Sequence, residues 1–199
     1  MPSLPSTNSA EQSKVRTISN AFVLLGKQPI NQLDTTNALH NAASNIYDLM
    51  VRVLLSDHPW NFAKKEVDLQ LTTETSSNED KWKYVFKLPS IPQILVIYGV
   101  YPKTDYDIFE DRLYSNQNEL KLTYIYKVRE DDFPTYFELA ITYKTCSSLA
   151  LAVTQNPAIV NEWSKQSQLQ LVRARQLDSS QAPSVQIDPN NDIYSSFFT

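Results

Sequence analysis

The chain turns on one hexapeptide, His58-Pro59-Trp60-Asn61-Phe62-Ala63. Pro59 excludes the α region for His58 and cannot extend a helical hydrogen-bond ladder, so a helix arriving from the N-terminal side must stop here. The pattern before this string is helical, and the pattern after it alternates. Trp60 and Phe62 lie two apart, as they would on one face of a strand. The expectation is a rigid elbow made of Pro59, Trp60, Asn61 and Phe62, anchored by a buried indole, where a helical part hands over to a β part.

On the N-terminal side, residues 1–8 are rich in Pro, Ser, Thr and Asn and are expected to be flexible. From Ser9, the recurrence of Val15, Ile18, Phe22 and Leu25 predicts a helix closed by Gly26. Thr35 or Thr36 is placed to cap a second helix. Its apolar stripe reads Leu39, Ala42, Ala43, Ile46, Leu49, Met50, Val53 and Leu54.

Beyond the elbow, Val67, Leu69 and Leu71 alternate with polar residues, and 72–80 is polar and loop-like. Trp82, Tyr84, Phe86 and Leu88 share one side of a two-faced strand, and Ile94 to Tyr98 reads as a strand covered on both faces. Pro102 to Asp111 reads as an acidic loop. Leu113-Tyr114, a turn at 115–118 and the run Leu120, Leu122, Tyr124, Tyr126, Val128 read as a hairpin. The middle is thus expected to be one antiparallel sheet of about four or five strands.

Asp132 is a candidate cap and Pro134 suits a first helical turn. Phe133, Phe137, Ala140, Ile141, Leu149, Ala152 and Val153 then describe a helix that is apolar over much of its circumference. Pro157 starts a last helix carrying Val160, Trp163 and Leu171. From about Ser179 the periodicity stops, leaving a polar segment with apolar beads toward its tip. That segment is either an extended recognition element or a frayed terminus.

The fold class is therefore α+β: a helical bundle built from both chain ends, an inserted antiparallel β module and an extended C-terminal tail. In domain terms this is 1–8 as flexible N-terminus, a single domain over 9–178 and the tail over 179–199. Helices occupy 9–58 and 133–178, and the β insertion occupies 60–130. The first and last helices are expected to pack together, since neither pair alone closes a core.

Composition narrows the chemistry. Only two glycines, Gly26 and Gly99, occur, which excludes phosphate-cradling loops and a dinucleotide site. The formal charge of -4 lacks the basic footprint of a sequence-reading nucleic-acid binder. The single cysteine, Cys146, permits no internal disulfide and reads as a small core residue. His40 and His58 have no second His or Cys at metal-ligand spacing. No apolar run reaches the roughly 20 residues a bilayer requires, and Met1 to Ser13 lacks the order of a signal peptide. A soluble component, cytosolic or built into an assembly, is expected, with no catalytic, cofactor or metal residues.

Two features support other classes. Asp105, Asp107, Glu110 and Asp111, with Glu130, Asp131 and Asp132, could supply the carboxylate pair of a hydrolase acting on surface polysaccharide, although solvated loop acids are the commoner use of such a pattern. Lys81, Lys83 and Lys87, with Lys121, Lys127 and Arg129 as possible neighbours, make a basic face that could meet phosphates, although a solvated face is the commoner use of such a pattern.

The order of several short strings resembles the tail tubular protein A family of short-tailed phages. The strings are Leu24-Leu25-Gly26 with Pro29-Ile30 and Leu33, the hexapeptide 58–63, Trp82 and Tyr84 with Leu88-Pro89, and Tyr124-Ile125-Tyr126-Lys127-Val128. Phe133-Pro134 with Phe137 and Ala140, and Leu149-Ala150 leading to Thr154, complete the set. The chain departs from the family's pattern at Pro92-Gln93-Ile94, where a charged pair is more usual.

The resemblance implies a virion protein assembled in the host cytoplasm as a twelve-fold, non-catalytic adaptor ring in the tail neck. Such a ring joins the portal protein to the tail nozzle, a tail tubular protein B-like component, and offers its far side to tail fibres. DNA would pass through its lumen without specific binding, and no membrane is involved. Within that reading Ile187, Ile193, Tyr194, Phe197 and Phe198 become the portal-docking beads.

Overall fold

The computed structural model describes residues 8–72 and 81–181. It is a mixed α+β structure with four α-helices and two antiparallel sheets. The beads Ile187, Ile193, Tyr194, Phe197 and Phe198 lie outside the described residues, as do 1–7 and most of the expected 72–80 loop.

Helix α1 spans Asn8–Leu24 and ends where Gly26 takes φ 75°, a left-handed conformation that glycine adopts without a Cβ penalty. The amides of Gly26 and Lys27 reach back to the carbonyls of Val23 and Phe22, so the turn closes two carbonyls that would otherwise be left open. Helix α2 spans Ala38–Ser56, and its cap is Asn37 rather than Thr35 or Thr36. The Asn37 side-chain oxygen accepts from the amides of Leu39 and His40, while Thr36 is occupied with Asp34.

The buried face of α2 also differs from the expected stripe. Ala43, Tyr47, Val51, Leu54 and Leu55 are buried, whereas Leu49 and Val53 are 47% and 44% exposed. The spacing 43, 47, 51, 54 is an equally good helical face once Tyr47 counts as apolar, and its ring, 1% exposed, makes it so.

After the elbow come β1 (Lys64–Asp68) and β2 (Gln70–Leu71), which belong to different sheets. Strands β3 (Tyr84–Lys87), β4 (Ile94–Tyr101), β5 (Tyr106–Phe109), β6 (Arg112–Ser115) and β7 (Lys121–Tyr126) follow. The strand order is β1-β7-β4 in one sheet and β2-β3-β6-β5 in the other, so two sheets replace the single one expected.

The expected acidic loop contains β5, which makes a tight hairpin with β6 around Glu110, whose φ is 55°. The expected hairpin across 115–118 does not form. Strand β6 pairs with β3 and β5, β7 pairs with β1 and β4, and the 115–118 turn carries the chain between sheets. Asn116 holds that crossing by accepting from the amide of Lys83 and donating to the Lys81 carbonyl. Strand β4 is half-covered rather than sealed on both faces, with Tyr98 59% exposed.

Helix α3 (Thr135–Thr154) follows a 3-10 turn at Glu130–Asp132, so Pro134 rather than Asp132 occupies the cap position. Helix α4 (Pro157–Ser179) begins with Pro157 at its first turn, and the Asn156 side chain accepts from Ala158 N. Helix α3 is the shared partner: α1, α2 and α4 each pack on it, which brings helices from the two ends of the domain together. Its buried positions Phe137, Ala140, Ile141, Thr145, Cys146 and Leu149 reach around its circumference, so it can serve several neighbours at once.

Two apolar clusters result. One gathers the four helices with Trp60, Ile125 and Val128; the other lies between the sheets around Phe86, Leu113, Leu120, Leu122 and Tyr124. Strand β7 contributes to both, because alternate side chains face opposite sides. Leu122 is fully buried between the sheets. Leu122→Ala is expected to cost about 2–5 kcal/mol of stability, read as a fall in the urea unfolding midpoint. A loss no larger than that of an exposed-site substitution would contradict this packing.

Candidate functional site

The elbow is built from the last turn of α2 outward. Asp57 closes the helix, His58 and Pro59 turn the chain, and Asn61–Ala63 forms one 3-10 turn before β1. Trp60 therefore caps a turn that contains Phe62, where a strand face was expected. Pro59 sets up this geometry by keeping His58 extended, and the Trp60 amide donates to the His58 carbonyl at 2.8 Å.

Trp60 is fully buried. Its Nε1–H donates to the carbonyl of Leu54 at 2.7 Å, satisfying one of the end carbonyls that α2 leaves open. The ring meets Phe137 edge-on at 4.9 Å and His58 at 4.7 Å. Phe62 also meets Phe137 edge-on, again at 4.9 Å, so the elbow's two aromatics clasp the first turns of α3.

Asp178, from the last turn of α4, lies at the polar centre of this region and is 1% exposed. Its two carboxylate oxygens accept from the amide of Asn61, at 3.2 and 2.9 Å. The Tyr136 hydroxyl donates to Asp178 Oδ1 at 2.7 Å, and the Asn61 side-chain amide donates to the Asp178 carbonyl at 2.8 Å. His58 Nε2 stands 3.8 Å from Oδ2, too far for a hydrogen bond but near enough for charge to be felt. One turn earlier on α4, Arg175 donates to Asp57.

The cluster therefore joins residues 57–61, the start of α3 and the end of α4. Burial and the Asp178 carboxylate push the Tyr136 phenol well above its usual range. Asp178 accepts from the Asn61 amide and the Tyr136 hydroxyl, so the arrangement fastens the elbow backbone to two helices. The sequence reading named Asn61 and missed Asp178 and Tyr136. A signal was present: a carboxylate in the last turn of a helix opposes the helix dipole and needs a local reason.

The other candidate groups sit elsewhere. Lys81 bonds Asp107 at 2.6 Å and lies over the Trp82 ring, and Trp82 Nε1–H also donates to Asp107 at 2.9 Å. Those two donors hold the Asp107 carboxyl below its usual range. Cys146 is fully buried, with its thiol pushed up to about 12 by burial. His40 accepts from the Asp34 amide through Nδ1. Among the described residues no three His, Cys, Asp or Glu side chains come together as a metal site would require, and no helix is long and apolar enough to cross a membrane. No protein-family model matches the chain, and no curated protein matches it.

Removing one donor from a buried carboxylate leaves an acceptor unmet. Tyr136→Phe is expected to cost about 1–3 kcal/mol, and Asp178→Ala more, since it strands the Asn61 amide as well. Urea unfolding of the two variants checks the order; equal or reversed costs would contradict the cluster.

A second expectation concerns acid. His58 is held below its ordinary value of 6.5, first by burial, with Arg175 and Lys64 acting the same way and Asp178 and Asp57 opposing. The folded chain then binds this proton less readily than the unfolded chain. The associated stability is fully present above pH 6.5 and is lost as pH falls through that value toward the folded-state one. His58→Gln is expected to flatten the dependence of the unfolding midpoint on pH between about 7 and 5. An unchanged slope would assign the acid sensitivity to other groups.

Proposed function

We propose that the chain is a structural protein of a phage virion, an adaptor subunit that forms a ring between the portal and the tail nozzle, with DNA passing through the lumen. In this reading the helices are a bundle drawn from both ends of the chain, the strands are its inserted β module, and 179–199 is the docking tail. The observation that carries the proposal is the elbow. Of the elbow residues that resemble the tail tubular protein A family, Pro59, Trp60, Asn61 and Phe62, Asn61 is bonded to Asp178 at the end of α4, immediately before the tail begins. A tail anchored on a rigid base can present Ile187, Ile193, Tyr194, Phe197 and Phe198 to crevices between portal subunits. Repetition around a ring would strengthen a weak individual contact. The net charge of -4 suits a conduit that should not grip passing DNA.

The polysaccharide-hydrolase reading finds less support. Asp107 is engaged by Lys81 and Trp82 and held ionised, which disqualifies it as a general acid.

The test is the mass of the portal mixed with the full chain, compared with a version ending at Ser180. Association of the full chain alone is the expected result. Association of both would move docking onto the helices. Failure of both would overturn the adaptor reading.

A further inference from the structure

One surface groove begins where the described part of the chain ends. Between the second half of α2 and the start of β4 lies an open cleft lined by Leu49, Arg52, Val53, Asp57, Ile94 and Leu95. Leu49 and Val53 stand one turn apart and are both close to half exposed, so they form an apolar strip that the helical core does not use. Strand β4 is an edge strand. It pairs with β7 on one side, and among the described residues no strand pairs with its other side.

Three observations name the occupant. The first is position: Asp57, at the head of the groove, is hydrogen-bonded to Arg175, one turn before α4 ends at Ser179. The second is reach. Residues 182–199 are eighteen in number (199 − 181), enough to span about 60 Å when extended, whereas Leu49 to Asp57 along α2 covers only about 12 Å. The third is chemistry. This segment carries Asp188 and Asp192 with no Lys or Arg, and Val185 and Ile187 lie two apart, on one side of an extended chain. An exposed Arg52 between Leu49 and Val53 offers the matching cation.

We propose that the segment 182–199 folds back onto its own subunit, with Val185 and Ile187 over Leu49 and Val53 and its backbone alongside the outer edge of β4. Edge pairing gives the contact affinity, and the alternating side chains give it register. The inference stands without the adaptor reading, since no portal takes part. If both hold, the groove keeps the beads from premature contact until a partner competes for them.

The test is a disulfide trap in the full chain, Val53→Cys with Ile187→Cys. Oxidation removes one hydrogen from each thiol, with a mild added oxidant such as a copper–phenanthroline complex accepting the electrons. Cys146 is fully buried and does not compete. The expected product is an intrachain bond, seen as a faster-migrating monomer on a non-reducing gel, reversed by reductant and independent of protein concentration. A covalent dimer would place a neighbouring copy in the groove, and no bond would leave the groove without the segment; either overturns the proposal.

A second measurement uses the unaltered sequence and needs no variant to fold. Hydrogen exchange at residues 94–97 is expected to be about tenfold slower in the full chain than in one ending at Ser180. Equal rates would overturn the proposal.

Discussion

The fold closes on a buried carboxylate. Asp178 is placed at the end of α4, where the open carbonyls of a helix terminus make a negative charge unwelcome, and it is withdrawn from water. Both costs are offset by donors from two other parts of the chain, the backbone of Asn61 and the hydroxyl of Tyr136. Charge-assisted hydrogen bonds of this kind lose their value if any partner moves. The elbow, the start of α3 and the end of α4 are thereby fixed together. The aromatic clasp of Trp60 and Phe62 on Phe137 depends on the same alignment.

The second organising constraint is the sharing of walls. Strand β7 sends Ile125 into the helical cluster and Leu122 and Tyr124 into the space between the sheets. Helix α3 likewise accepts α1, α2 and α4 on different sides. A chain with only two glycines and no disulfide achieves rigidity by having central elements serve two neighbours each. Surface ion pairs such as Lys14 with Asp48 and Arg16 with Glu138 decorate this arrangement, and exposed pairs of this kind add little.

Much of this was legible in the sequence, and the failures have physical causes. The helices were readable because their apolar spacing persists over four or five turns, and the Pro157 start of α4 because Asn-Pro is strong local chemistry. The buried face of α2 was misread because Tyr47 carries a polar atom on an apolar ring. The cap was misplaced because Asn37 competes with two neighbouring threonines, and only the actual hydrogen bonds decide between them. The hairpin across 115–118 failed for a deeper reason. Turn-like residues report that the chain reverses and say nothing about which strand it then meets, and here the reversal changes sheets. The tight turn at Glu110 was hidden because it lacks glycine or asparagine at its positive-φ position. Asp178 could have been noticed as an acid at the wrong end of a helix. Its partners could not, because pairing across such distances leaves no periodic trace.

The span between Asn61 and Asp178, 117 positions along the chain, has a bearing on synthesis. A nascent chain emerging from the ribosome has its elbow, with Trp60 and Phe62, long before the last turn of α4 exists. The sheets can pair in that interval, since their strands lie between the two, but the helical core cannot be sealed until translation has passed Asp178. Such late, non-local closure leaves apolar surface open during elongation. The stage of synthesis at which this core is most open therefore falls before the last turn of α4 is made.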